Sequence, residues 1–326
     1  MMRQPIPLAH YGIPASRLVL GCMGLGGSWS ESEPYNSQHV QETREAVEAA
    51  LEIGINMFDH ADIYKRGKSE RVFAEVMKEH PGLRERIILQ SKVGIRFERG
   101  PGLPQQFDFS KSHILSSVDG ILERLNVDYI DILLLHRPDA LVEPEEVAEA
   151  FERLTADGKV RHYGVSNMSA GQIKLLQSYV TAPLVVNQIE MNLGHADWID
   201  QGVQVNQRSN RDSFFPVGTL EFCRLANIQL QAWSPLAGGI YSGASLEGQP
   251  ENVRNTAALV ATMAEQKNTT REAIVLAWLT RHPAGIQPVI GTINPERIRN
   301  CRDAFTLELT RDEWYMLYEA SRGKRL

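Results

Sequence analysis

Four side chains in the first half of the chain are of the types that move a proton onto a carbonyl oxygen: Asp59, Tyr64, Lys92 and His136. Asp59 closes the short apolar run Ile55 to Phe58, and Tyr64 follows five residues later, past the end of that run. Lys92 follows the run Arg86 to Ser91, and His136 follows Tyr129 to Leu135, which is nearly all apolar, as a strand buried on both faces must be. A free phenol, with a pKa of about 10, is a sluggish proton donor or acceptor near neutrality. Bringing it near 7 takes roughly 3 units, or about 4 kcal/mol. One ammonium at about 4 Å, at an effective dielectric near 20, supplies a gross attraction of that order. Lys92 is placed to be that ammonium, Asp59 to fix it while trimming its effect, and His136 to hydrogen-bond the oxygen on which charge develops. Such a set suits protonation of an alkoxide, the step that completes carbonyl reduction by hydride transfer. Singly, each residue reads as a cap, a surface ion pair or a core histidine; recurrence at successive strand ends is what carries the argument.

The elements that must position them alternate. Strands are expected at Arg17 to Leu20, Ile55 to Phe58, Arg86 to Ser91, Tyr129 to Leu135, His162 to Asn167, Leu184 to Gln188, Ile228 to Trp233 and Gln287 to Thr292. Helical spacing falls between them, at Gln41 to Ile53, Ser69 to Glu79 (with Ser69 as its N-cap), Pro144 to Ala156, Val217 to Leu225, Asn252 to Gln266 and Arg271 to Arg281. Another helix is expected after a cap at Ser110 or Ser112, and a helical tail over Thr310 to Ser321, packed outside or over one end. Eight strand–helix repeats predict a (β/α)8 TIM barrel, α/β in class, whose strand exits share one pocket. A doubly wound sheet is disfavoured, because no G-x-G-x-x-G with a following acid sits at a βα turn. No linker or low-complexity tract interrupts the chain, so residues 1–326 are expected to form a single domain.

Bulk properties narrow the function classes. The chain has 326 residues, 43% hydrophobic and 23% charged, and a net charge of −6, which argues against nucleic acid or an anionic membrane as the main partner. No signal-like apolar region and no membrane-length apolar run is present, and the three cysteines (Cys22, Cys223, Cys301) are scattered. A cytoplasmic, reduced protein is expected. No heptad or exposed apolar face argues for a dimer, so a monomer is expected.

The motifs Phe58-Asp59-His60-Ala61-Asp62-Ile63-Tyr64, Ser91-Lys92, Leu134-Leu135-His136, Gly158 to Asn167, Asn187-Gln188, Ala232 to Leu236 and Ile290-Gly291-Thr292 with Arg297 are spaced as in one family. Over essentially its whole length the sequence resembles the aldo-keto reductase superfamily, most of all the bacterial monomeric oxidoreductases related to potassium-channel auxiliary subunits. The resemblance implies that Tyr64 is the general acid, tuned by Lys92, itself paired with Asp59, and that His136 orients the carbonyl. It implies an NADPH (NADP+) site in which Ser166, Asn167 and Gln188 hold the carboxamide and Trp233 stacks on the nicotinamide. Ser234, Leu236 and Gly238 would form the pyrophosphate loop, with Met23 and Gly24 touching the cofactor from the first strand turn. Gly291, Thr292, Arg297 and Asn300 would surround the 2′-phosphate and adenine. At that end the pattern thins: Gly291 stands where many relatives have lysine, and Asn300-Cys301 replaces Glu-Asn or Gln-Asn. Arg297 remains as a bidentate phosphate donor, which favours NADPH over NADH. His60 and Lys65 replace a common Thr or Ser and a common Gly beside the catalytic turn.

The implied reaction is reduction of an aldehyde or ketone, a small-molecule carbonyl substrate. The alternative is an NADP(H)-binding sensor or regulatory module with little turnover. A metal site is not expected, since no H-E-x-x-H spacing occurs, nor a serine hydrolase, since no G-x-S-x-G elbow does. Cys22 reads as a small core hydrophobe. Substrate choice is assigned to the loops Ile95 to Phe109 and Met191 to Ser213 and to the C-terminal tail, with Arg96, Trp198, Phe214 and Phe215 as candidate pocket-lining residues.

Overall fold

The computed structural model describes residues 5–98, 100, 102–207 and 214–325. Eight short parallel strands close on themselves: β1 (Val19–Gly21), β2 (Met57–Asp59), β3 (Ile88–Val93), β4 (Ile130–Leu135), β5 (Val160–Ser166), β6 (Leu184–Glu190), β7 (Gln229–Trp233) and β8 (Gln287–Ile290). Each pairs with its sequence neighbours, and β1 pairs with β8 to complete the (β/α)8 barrel. The register sets Gly21 beside Asp59 and Asp59 beside Gln90, so the exits of β1, β2 and β3 lie side by side. β3 and β4 are buried along their whole lengths, because helices cover them outside and side chains fill the barrel inside.

The helices start and stop where local chemistry dictates. α1 (Ser37–Glu52) opens on a capping box between Asn36 and His39, and α3 (Lys111–Leu125) opens on Ser110, whose hydroxyl accepts from the His113 amide. α4 (Pro144–Ala156) has Pro144 at its first turn, where the missing N–H costs nothing. α2 (Lys68–Glu79) departs from expectation: Gly67, left-handed at φ 80°, precedes it, and Ser69 instead donates its hydroxyl to the Cys22 carbonyl, tying α2 to the β1 exit. α5 (Ala170–Gln177) follows β5, with a capping box at Ser169 and Gln172. The segment after β6, expected to be irregular, holds α6 (Asp197–Val203), and the loop after β3 holds a small antiparallel hairpin (Ile95–Arg96 with Gln106–Phe107). α7 (Thr219–Leu225), α8 (Glu251–Gln266), α9 (Arg271–Thr280) and α10 (Pro295–Arg299) complete the ring.

The last helix, α11 (Arg311–Arg322), packs outside the barrel, against α8 and α9. Trp314 stacks on Trp278 at 5.5 Å, and each indole N–H donates to the other residue's carbonyl. Trp198 of α6 meets Trp278 edge-on, and Asp200 accepts from the Tyr318 hydroxyl and pairs with Arg322 at 3.1 Å. The lower lumen is filled by an aliphatic cluster including Val19, Met57, Ile88, Ile132 and Leu134, and the N-terminal residues Ile6, Leu8 and Ile13 plug the opening beneath it.

Candidate active site

The ladder of the sheet continues past the strand ends and delivers the chemistry. His60 N–H donates to the Gln90 carbonyl, Asp62 N–H to the Lys92 carbonyl, and His136 N–H to the Val93 carbonyl. These bonds fix the loop after β2 against β3, and a tight turn (Tyr64 N–H to the Ala61 carbonyl) then swings the phenol back over the barrel. Lys92 is completely buried and its ammonium has three partners: Asp59 Oδ2 at 2.6 Å, Tyr64 Oη at 2.9 Å and the His60 carbonyl at 2.9 Å. His136 stands edge-on to the Tyr64 ring, 6.0 Å between centroids. Asp59, Tyr64, Lys92 and His136 are thus together, as the sequence predicts.

The electrostatics differ from the simple expectation in one respect. Burial pushes the Tyr64 phenol up; Lys92 pulls it down and Asp59 pushes it up again, and the net direction is upward. In a dry pocket one lysine already bound to a carboxylate does not bring a phenol toward neutrality. The phenol is held protonated instead, and the ammonium beside it lowers the cost of the phenolate left after a proton is given away. Burial opposes charge on Lys92, but Asp59 and Tyr64 outweigh it and raise its pKa, so it stays an ammonium. Burial, with the charges of Lys92 and Arg137, holds His136 well below the usual imidazole range, so it is neutral. His60 is pushed down to about 3 by burial and Lys92; both its ring nitrogens are buried without partners, and it packs edge-on to Phe73.

The turn after Tyr64 is strained. Lys65 and Arg66 are both left-handed, at φ 50° and 58°, a conformation costly for residues with side chains. Their side chains are gripped from neighbouring loops: Lys65 lies over Trp29, and Arg66 over Phe97 with an ion pair to Glu31 at 3.0 Å. Beneath the turn, Asp62 has a buried carboxyl oxygen without a partner, and burial raises its pKa to about 7, with Glu70 adding to the rise.

The residues expected around a nucleotide lie at the exits of β5 to β8 and the turn after β1. Asn167, left-handed at φ 58°, donates to Ser166 Oγ and the His136 carbonyl and accepts from Trp233 Nε1 at 3.0 Å. Ser166 in turn donates to the Gln188 carbonyl. After β7 the backbone is left-handed at Ser234, Ala237, Gly238 and Gly239, and space is open above Gly238 and Gly291. Met23 is exposed, whereas a Cβ on Gly24 would lie 2.8 Å from Ile293, so only glycine lets these two turns approach. Thr292 caps the Asn294 amide, Leu236 packs on the core, and Asn300 accepts from Thr270 through its carbonyl. Arg297 is exposed, and its guanidinium forms no ion pair among the described residues. Left-handed glycine-rich backbone, open space and an unpaired guanidinium together match what a dinucleotide phosphate requires.

A cavity of about 260 Å³ adjoins Trp233 and Asn167. Trp198, Phe214 and Phe215 line it as expected; Arg96 does not, being turned toward Asp108 in an ion pair within its hairpin. His195 and Asp197 come from the expected substrate loop, while Arg137 and Glu190 are charged lining residues outside it. Arg137, next to His136, has a signal in the sequence, a cation at a strand exit; its guanidinium lies 5.7 Å above the Trp233 ring. Residues 208–213 of the expected substrate loop lie outside the described residues. Among those described, no group of three or more His, Cys, Asp or Glu could hold a metal ion, and no helix is long and apolar enough to cross a membrane.

Residues 17–322 match the profile of the Aldo/keto reductase family. The chain is 37% identical to the uncharacterized oxidoreductase YcsN of Bacillus subtilis, covering 98% of each, and 35% identical to a 6-dehydroglucose reductase of Agrobacterium fabrum, covering 95% of this chain and 96% of that one. Among solved structures it is similar to a glycerol dehydrogenase from Gluconobacter oxydans, with a TM-score of 0.77 at 23% identity, covering 94% of this chain and 92% of that one. It is also similar to an aldo/keto reductase of Klebsiella pneumoniae solved with NADP and acetate, with a TM-score of 0.70 at 23% identity, covering 93% and 90%.

Proposed function

We propose, on the premise that this chain belongs to the aldo/keto reductase family, that it reduces aldehydes or ketones with NADPH, Tyr64 giving the proton. The observation that carries this reading is the buried Lys92 ammonium held between Asp59 and the Tyr64 hydroxyl. NADPH would supply the hydride, with Ser166, Asn167, Gln188 and Trp233 at its nicotinamide, the loop Ser234 to Gly238 at its pyrophosphate, and Arg297 with Thr292 at its 2′-phosphate. Neutral His136 donates a hydrogen bond to the carbonyl oxygen and so favours charge building there. Tyr64 then passes its proton to that oxygen, and Lys92 stabilises the phenolate until solvent restores it. The residues fit the nucleotide by donor chemistry, and Arg297 favours the phosphorylated form. The whole length, 1–326, is read as one such reductase unit, acting on a small molecule.

The substrate reading follows from the cavity. Aromatic walls (Trp198, Phe215, Trp233) alternate with Arg137, Glu190 and Asp197, which favours a hydroxylated carbonyl compound whose C–H faces stack and whose hydroxyls bond to planar charged groups. The relative named for 6-dehydroglucose supports the same class. The test is NADPH oxidation with 4-nitrobenzaldehyde and with open-chain sugar aldehydes, for the wild type and Tyr64→Phe. Turnover that disappears in the variant while NADPH still binds is the expected result. Undiminished turnover in Tyr64→Phe would remove Tyr64 from the mechanism. NADPH binding without turnover in the wild type would favour the nucleotide-sensing alternative.

A further inference from the structure

Barrel interiors of this kind are filled mostly by branched apolar side chains. Here four glutamines meet inside the barrel instead: Gln90 on β3, Gln188 on β6, Gln231 on β7 and Gln287, the first residue of β8, each at most 3% exposed. Their strands bring them into contact, since Gln188 is the register partner of Gln231 and Gln90 that of Asp59. The hydrogen bonds form one chain. Gln287 Nε2 donates to the Ser16 carbonyl at 2.6 Å, and Gln231 Nε2 donates to Gln287 Oε1 at 2.9 Å. Gln231 Oε1 accepts twice, from Gln90 Nε2 at 2.8 Å and from Gln188 Nε2 at 3.0 Å. Gln90 Nε2 also donates to Asp59 Oδ1 at 2.6 Å.

The polarity of this chain is set from both ends. A backbone carbonyl and an ionised carboxylate can only accept, so Gln287 must turn its NH2 to Ser16 and Gln90 its NH2 to Asp59. Gln287 then offers only its oxygen to Gln231, which must answer with its NH2 and point its own oxygen inward, where the two remaining amides have to donate. No other assignment of amide nitrogen and oxygen satisfies both ends. The arrangement has a cost: Gln90 uses both its protons, and its Oε1 is buried without a partner. An orphaned carbonyl of this kind costs about 1–3 kcal/mol, which an aliphatic layer would avoid. Stability therefore does not account for the layer.

We propose that Gln231 is a positioning residue that orients both halves of the reaction at once: through Gln188 it fixes which amide atom meets the nicotinamide carboxamide, and through Gln90 it fixes the second donor on Asp59. This rests on the reductase reading above. With its NH2 committed to Gln231, Gln188 presents Oε1 and so selects a carboxamide NH2. With Gln90 held on Oδ1, Asp59 shares its charge between an amide and Lys92, leaving more of the lysine's field for the Tyr64 hydroxyl.

The test uses NADP+ and its 3-acetylpyridine analogue, in which a methyl group replaces the carboxamide NH2, with dissociation constants read from quenching of tryptophan fluorescence. The wild type is expected to prefer NADP+ by about tenfold, the effect of one hydrogen bond left unmade at a buried acceptor. Gln231→Met, similar in volume but unable to accept as an amide does, is expected to reduce that preference to about twofold. It should also move the high-pH limb of turnover with 4-nitrobenzaldehyde upward, because less of the lysine's field reaches the phenol. Gln231→Glu at pH 5.5, where a buried carboxyl keeps its proton, can donate to Gln287 and accept from Gln90 and Gln188, and should restore the preference. A folded Gln231→Met with the full tenfold preference, or a Gln231→Glu no better than Gln231→Met, would overturn the proposal. Absence of turnover in the wild type would sink the reductase reading and the Asp59 half of this proposal, but not its carboxamide half, because the analogue comparison needs binding alone.

Discussion

At the ends of the helices, left-handed turns are made by residues that tolerate them: Asn126, Asn227 and Asn268, at φ 49–55°. Beyond the strand exits the same region of backbone is occupied by Lys65, Arg66, Ser234 and Ala237, at φ 47–58°. The lumen shows a parallel contrast. Its lower end is largely aliphatic and plugged by Leu8, with Gln229 and Gln287 the polar residues that open β7 and β8 there, whereas its upper end holds an ion pair and orphaned polar atoms on His60, Asp62, Gln90 and His136. One chain under one stability requirement has followed local rules at one end of the barrel and departed from them at the other. Departures of this kind collect where a geometry is needed for something besides folding.

The largest expected effects separate the two ends. Tyr64→Phe should lower turnover about 10³-fold, within the range for losing a positioned acid, with no loss of thermal stability. Leu8→Ala at the opposite end should do the reverse, costing about 3 kcal/mol in a urea titration while each folded molecule keeps its kcat. If Leu8→Ala lowered kcat as well, the division between ends would not hold. Lys92→Met should cost about 3–5 kcal/mol, because Asp59 is left charged and unpaired in the core. Adding Asp59→Asn should recover part of that stability and none of the activity.

A third test follows from Asp62. Its folded-state pKa, about 7, is raised by burial, so the folded protein holds a proton that the unfolded chain releases near pH 4. The associated stability is full at low pH and is lost as pH rises from about 4 to 7. Asp62→Asn should therefore match the wild type near pH 3.5 and exceed it by about 4 kcal/mol at pH 8. Equal urea midpoints at pH 8 would show that this acid carries no burial penalty. The smallest effect concerns backbone strain. Lys65→Gly should gain about 1 kcal/mol by relieving a left-handed residue, less the contact with Trp29, whereas Asn126→Gly should change stability by only a few tenths of a kcal/mol.

The sequence made much of this plain, and where it did not the reason is tertiary. β4 and α4 could be read almost to the residue, since a nearly all-apolar run and an N-terminal proline are local signals. The four strand-exit groups could be read because the barrel converts order along the chain into proximity. α6 could not: Trp198 and Ile199 are buried against elements roughly 80 to 120 residues away, and within their own segment they look isolated. Ser69 has the look of a cap, but its hydroxyl is taken by Cys22, a partner 47 residues distant. The glutamine layer was visible in principle. Gln90 shares a strand face with Lys92, and Gln188, Gln231 and Gln287 recur in later strands, yet apolar-run reading passes over a polar residue in a buried strand. Arg137 and Glu190 stand beside the recognised motifs, and only the folded barrel turns them into the cavity wall.

The bracing of α6 by α11 reaches beyond the two helices. Trp198 has one side in the cavity wall and the other against Trp278, which is stacked in turn on Trp314, while Tyr318 and Arg322 hold Asp200 a short way along the same helix. α11 thus acts as a buttress for one flank of the cavity, though none of its residues lines it. A truncation before residue 311 would release that flank, so selectivity measured on such material would partly reflect the loss of this brace.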